Sequence, residues 1–275
     1  MRRMDSARVW MAVGVVIVCV QAAHASDVAK PRPNDRPAAV AAAASPTIDH
    51  TPFDRLLRRF VRAGLVDYRG IQEERTTLDA YLQQVRQATP AAWDRQAQLA
   101  FWINAYNACV IRGVIDHLPL QSVKDVDGFF EKIHYDVAGR SLTLNEIEAE
   151  GRKLGDWRSH FGVVCASSSC PLLRSEAYVA DRLDAQLADQ TRNFLQDRQR
   201  GQRIDGGTWW VSKIFDWYAG DFVPGQGGLF RKLLPEKLLP VLQPYLDEST
   251  IYTVSGTSLT IKFLSYDWTL NSRSK

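Results

Sequence analysis

Beginning at Phe53, apolar residues recur at helical spacing. Phe53, Leu56, Leu57, Phe60 and Val61 share one stripe backed by Arg55, Arg58, Arg59 and Arg62, until Gly64 ends the pattern. A second helix is expected over about Ile71 to Arg86, carried by Leu78, Tyr81, Leu82 and Val85. A third runs from about Asp94 to His117 and stops before Pro119. Its stretch Leu99 to Ile111 is apolar nearly all round, so it belongs in the core. Asn104 and Asn107 lie three apart on it and project to one side. Buried there, each must find a partner or cost about 1 to 3 kcal/mol, so they either brace neighbouring backbone or line a site.

Further along, Ile133 to Val137 and Ser141 to Leu144 flank Ala138-Gly139-Arg140, which reads as a hairpin with glycine at the turn. Asn145 is expected to cap a helix carrying Glu146, Glu148 and Glu150, where the helix dipole favours anions. Phe161 to Cys165 reads as a buried strand, Tyr178 to Phe194 as an amphipathic helix, and Trp209 to Val211 as a strand after Gly206-Gly207. Proline-broken runs from Leu229 to Leu246 predict short covering helices. Together these elements predict an α+β fold, with helices packed around a small, largely antiparallel sheet whose central strand is Phe161 to Cys165.

The first residues carry a different pattern. Arg2, Arg3 and Arg8 precede an apolar run from Val9 to Val20 and then Ala23-His24-Ala25, a small-x-small cleavage signature. Residues 1–25 are therefore expected to be a secretory signal, with the mature protein secreted or periplasmic. The apolar run is short of the ~20 residues that a spanning helix needs, and no integral membrane span is expected after the signal. Residues 26–46 are rich in Ala and Pro and read as a flexible tether, leaving 47–275 as a single globular domain. Loss of Arg2, Arg3, Arg8 and Asp5 with the signal lowers the net charge from +3 to +1. Without a clustered basic face, nucleic acid is not an expected partner.

The candidate chemistry concentrates between Ser159 and Leu172, where His160, Cys165, Ser167, Ser168, Ser169 and Cys170 surround an apolar run. Three uses of the thiols stay open: a Cys165–Cys170 disulfide across the short Ala166 to Ser169 loop, a free nucleophile at either position, or unpaired packing. Cys109, inside the apolar helix, reads as an inert buried thiol. If 160–165 is a strand, His160 and Cys165 point to opposite faces about 16 Å apart at full extension, which makes His134 the more plausible partner for a thiol. His160 itself is either a general base or a histidine bonded to Glu148, Asn104 or Asn107. No metal or cofactor is expected, because no second Cys or His pair stands at zinc spacing, and Gly225-Gln226-Gly227-Gly228 has no Walker lysine in register.

One set of motifs carries a family resemblance: Ala100 to Ala108, Ile147-Glu148, His160-Phe161 leading to Cys165-Ala166-Ser167, and Cys170-Pro171. These resemble the domain of unknown function 547 family. Val66-Asp67-Tyr68, Phe215-Asp216-Trp217-Tyr218 with Asp221-Phe222, and Tyr266 to Asn271 fit its longer form, so the resemblance spans about Phe53 to Asn271. It implies no assigned activity, although the Cys and His pattern has the look of a thiol-dependent site.

Two functions follow. In the first, a thiol-dependent hydrolase or acyl transferase distantly similar in layout to papain- or transglutaminase-type enzymes, Cys165 or Cys170 attacks a carbonyl, a histidine accepts the proton, and Asn104, Asn107 or Glu148 orients it. Trp102, Tyr106, Asn107, Ser167 and Trp217 would then contact a small-molecule or peptide ligand. In the second, the chain is a non-catalytic envelope binding or structural module and the same polar cluster stabilises a loop. In both, the polar groups of Glu148, His160, Asn104 and a cysteine are expected to converge.

Overall fold

The helix Arg95–Asp116 is the axis of the fold, and in the computed structural model, which describes residues 47–225 and 233–273, all of Leu99 to Ile111 is buried. Asp94 starts it by accepting the Ala97 N–H at 2.8 Å, which satisfies one of the donors that a helix start leaves free. Helix Arg75–Gln87 packs beside it, and helix Thr51–Phe60 packs on Arg75–Gln87, with the Phe53 and Tyr81 rings 4.9 Å apart. The expected second helix is two, Tyr68–Glu73 and Arg75–Gln87, parted at Glu74. Asp67 caps the first by accepting from Gly70 N–H at 3.0 Å.

The hairpin pairs His134–Val137 with Arg140–Thr143, and its turn places both Ala138 and Gly139 at positive φ, the backbone of a tight two-residue hairpin turn. The following helix, Leu144–Arg152, begins two residues earlier than the sequence suggests: Thr143, not Asn145, is the cap, in a reciprocal pairing with Glu146. In place of a helix starting at Tyr178, a short turn at Ala180–Arg182 leads into Leu183–Gln196.

The fold is α+β as expected, but its sheets are small and separate. Val61–Arg62 pairs with Leu65–Val66, the hairpin stands alone, and Gln202–Asp205, Thr208–Val211 and Thr260–Phe263 form a mixed three-stranded sheet. The proposed central strand does not exist. Ser159–Gly162 is a turn of helix, and Val163 to Cys165 continues as extended backbone without a strand partner. The reason is local: Asn107 takes the two backbone groups that a ladder would have used, donating to Gly162 C=O at 2.9 Å and accepting from Val164 N–H at 2.8 Å. Gly162 allows that approach, since a Cβ there would sit 3.2 Å from Ile103.

Apolar packing falls into two main clusters. One surrounds the long helix, and the other gathers Phe161, Phe194, Trp209, Phe215 and Phe222 around the mixed sheet. The segment 159–165 passes from one to the other, with Phe161 in the second and Val164 in the first. The last described residues tie the seam together. Leu270 N–H donates to Gln121 C=O at 2.7 Å, Asn271 N–H to Ala166 C=O at 3.0 Å, and Ser168 N–H to Thr269 C=O at 2.8 Å. Among the described residues no helix is long and apolar enough to cross a membrane. The expected signal and tether, residues 1–46, lie outside the described residues, as do 226–232 of the covering region.

Candidate functional site

A cleft of about 420 Å³ opens at the seam between the two apolar clusters. Tyr106 comes from the long helix, Glu148 from Leu144–Arg152, His160 from the helical turn, and Cys165 and Cys170 from the loop that Asn271 pins. Trp217 and Tyr218 face them from the helical turn that follows strand Thr208–Val211, and Tyr266 and Trp268 from the final segment. Trp217 is 45% exposed, the side chain of a large aromatic left open at the mouth, and its ring lies 4.8 Å from that of Tyr266. An exposed tryptophan backed by other aromatics marks a surface built for contact.

Cys165 and Cys170 form a disulfide, so neither is a free nucleophile. Donors surround the sulfurs: the Cys165 N–H points at Cys170 Sγ at 2.9 Å, and the Tyr266 hydroxyl lies 3.2 Å from Cys165 Sγ and 3.3 Å from Cys170 Sγ. Ser167, buried in the loop, sits 3.2 Å from that same hydroxyl. Cys109, far from this loop in sequence, is a fully buried free thiol whose acidity burial suppresses.

His160 does not meet a thiol by hydrogen bond. Its Nε2 lies 2.8 Å from Asp221 Oδ2, and its ring packs on Tyr218 with centroids 4.2 Å apart. Burial pushes the imidazole down to about 4, against the attraction of Asp221. At neutral pH it is therefore uncharged and donates Nε2–H to the carboxylate. For Asp221, burial alone would raise the carboxyl, but hydrogen bonds from Arg152 and His160 outweigh it and hold it below the usual range. Arg152 Nε reaches the same Oδ2 at 2.7 Å.

Glu148 lies one helical turn before Arg152 and faces the cleft. Burial pushes its carboxyl above the ordinary glutamate value, against a hydrogen bond from Tyr218 and the charge of Arg152. Tyr106, Tyr218 and Tyr266 all feel its charge, so one acidic group sits among three phenols.

The structure thus brings Glu148, His160, Cys165, Cys170, Tyr106 and Trp217 to one cleft, and leaves out Asn104. Asn104 instead grips the Tyr178 backbone, donating to its C=O at 2.7 Å and accepting from its N–H at 3.0 Å. Asn107 is likewise a brace, one step behind the cleft wall. Trp102 is 5% exposed and packs on Phe101, outside the cleft. The opposite-face argument for His160 and Cys165 fails with the strand on which it rested, since both line the same space. His134, proposed as the better partner, is exposed on the hairpin and bonded to Lys132 C=O.

Residues 90–195 match the model of a family described as Protein of unknown function, DUF547. No curated protein and no solved structure matched the chain. The DUF547 stretch supplies Tyr106, Glu148, His160 and the disulfide, whereas Trp217, Tyr218, Asp221, Tyr266 and Trp268 lie beyond it. A third of the cleft-lining residues, and the partner of His160, therefore come from outside the DUF547 match. Reasoning from the sequence passed over Tyr266 as a site group and did not name Asp221 as the partner of His160. The available signal was their place in the aromatic motifs Tyr266-Asp267-Trp268 and Trp217 to Phe222.

Proposed function

We propose that this chain is an exported binding module whose cleft takes a small-molecule or peptide ligand with a flat apolar body and a cationic, hydrogen-bond-donating head, rather than a nucleic acid. The observation that carries this reading is the exposed Trp217, packed at a tilt against Tyr266 beside the half-buried carboxyl of Glu148. A flat apolar group gains by covering the tryptophan and tyrosine rings, and a donor head gains by reaching a carboxyl that burial has stripped of part of its water. Pairing with a cation would also oppose the effect of burial and favour the ionised form of Glu148.

The bridged thiols favour this reading over a thiol-dependent hydrolase, because a cysteine nucleophile requires a free thiolate and a nearby base. Here both sulfurs are spent on each other, and the imidazole is turned to Asp221.

Titration of the mature protein with tryptamine, followed by intrinsic tryptophan fluorescence, tests the proposal. Saturable quenching is expected, weakened about tenfold or more by Glu148→Gln, in line with ~1.5 to 3 kcal/mol for a hydrogen bond to a charged group. Equal affinity for tryptamine and its uncharged counterpart 3-ethylindole, or no change in Glu148→Gln, would count against the cationic head. Absence of saturable binding by either probe would count against the cleft as an aromatic-ligand site.

A further inference from the structure

The Cys165–Cys170 bridge lines the cleft instead of lying in the core. Cys165 is half-buried, while Cys170 is 5% exposed, so Cys165 is the more open of the two residues. The Tyr266 hydroxyl lies within 3.3 Å of both sulfurs and Ser167 Oγ lies 3.2 Å from Cys165 Sγ, but only the inner sulfur also receives a backbone N–H. Cys170 Sγ receives the Cys165 N–H at 2.9 Å and the Tyr266 hydroxyl at 3.3 Å, and Ser167 Oγ–H donates to the Tyr266 oxygen at 3.2 Å. Donors aimed at a sulfur stabilise the thiolate over the thiol, and a stabilised thiolate is a better leaving group in exchange.

We infer that this bridge is a redox-active disulfide, exchanging with a low-molecular-weight thiol that enters the cleft. A thiolate R–S⁻ attacks Cys165 Sγ, the Cys165–Cys170 bond breaks, and R–S–S–Cys165 forms as Cys170 leaves as thiolate. A second thiolate then attacks the R sulfur of that mixed disulfide and releases R–S–S–R with the Cys165 thiolate. Two thiols are oxidised, the bridge takes up the two electrons, and the two protons lost by the thiols are available to Cys165 and Cys170. The reverse sequence oxidises the pair with R–S–S–R.

Tyr266 is a positioning residue in this scheme, acting through the leaving sulfur. Its own hydroxyl is pushed up to about 12 by burial, so it remains a donor throughout the neutral range. The activity goes beyond ligand binding and is measured with no other ligand present, so its outcome and that of the binding test are independent.

The test is a rate comparison on the mature protein with 2-mercaptoethanol at pH 7, quenched with acid and read by alkylation and peptide mass mapping. Reduction of the folded protein is expected at least tenfold faster than that of the chain unfolded in urea, with the trapped adduct on Cys165. Tyr266→Phe should slow the folded-state rate about tenfold and shift its pH profile upward by about one unit. Ser167→Ala should act in the same direction by about threefold, and serves as the second variant should Tyr266→Phe fail to fold. Slower reduction in the folded state than in urea would overturn the inference, because that is how a purely structural bridge behaves. An adduct mapped to Cys170, or an unchanged rate in whichever of the two variants folds, would overturn it as well.

Discussion

Asn107→Ala isolates the contact that shapes the cleft. The amide donates to Gly162 C=O at 2.9 Å and accepts from Val164 N–H at 2.8 Å, and the side chain is 3% exposed. Val164 lies between no strands, so truncation leaves a buried N–H and a buried C=O without partners. At about 1 to 3 kcal/mol for each group, partly relieved by water entering from the cleft, the expected loss is about 2 to 5 kcal/mol. For a domain of this size that corresponds to a fall in melting temperature of roughly 5 to 15 °C by calorimetry. Asn104→Ala removes an equivalent pair of bonds, to Tyr178, and should cost a comparable amount. The two variants differ in the cleft. Only Asn107→Ala frees the segment that carries Cys165, so tryptamine affinity should fall in Asn107→Ala and hold in Asn104→Ala. A melting temperature of Asn107→Ala within 2 °C of the parent, on the scale of ~0.5 kcal/mol, would refute the reasoning.

Stability should fall on acidification between about pH 6.5 and pH 4. The folded-state imidazole of His160 sits near 4, below its unfolded value, so the unfolded chain takes up the proton first; the contribution is complete above 6.5 and lost as the pH drops toward 4. His50, also lowered to about 4 by burial, adds in the same sense. For the nearly fully buried His160 the loss is about 3 kcal/mol, and chemical denaturation of His160→Gln at several pH values should show a flatter slope across that window. Thr143→Ala removes one half of the pairing that starts Leu144–Arg152 and should cost about 1 kcal/mol in urea unfolding. Gly162→Ala should destabilise as well, since its Cβ would press on Ile103 at 3.2 Å; wild-type stability in that variant would show that the segment can retreat from the helix.

The helices were legible because each buries a stripe with the right period. The apolar run of the long helix and the stripe at Phe53 to Phe60 allow little else. The hairpin was legible from its turn, where Ala138-Gly139 adopts positive φ. The segment 159–165 was not, because an apolar run bounded by small residues reads as a strand whether its backbone bonds go to a ladder or to a side chain. Here they go to Asn107, which is 57 residues away from Val164. The same distance effect hid the partners of the site. His160 finds Asp221 at a separation of 61 residues, and the bridge finds Tyr266 at a separation of 96 from Cys170. Periodicity carries no information about such pairs. Glu148, His160 and the two cysteines were identifiable as a group because ionisable residues in apolar segments need each other. Asn104 obeyed the same rule with a different partner, the Tyr178 backbone.

The bridge in the cleft separates the proposed binding and exchange readings from a thiol nucleophile, and native-state alkylation tests it most directly. Mature protein purified without reductant and treated with iodoacetamide at pH 8 should show no added mass, because Cys165 and Cys170 are joined and Cys109 is buried. After mild reduction two carbamidomethyl groups should appear, on Cys165 and Cys170, while Cys109 stays protected. A carbamidomethyl group on Cys165 or Cys170 before any reductant is added would contradict the account and put a free thiol nucleophile in the cleft.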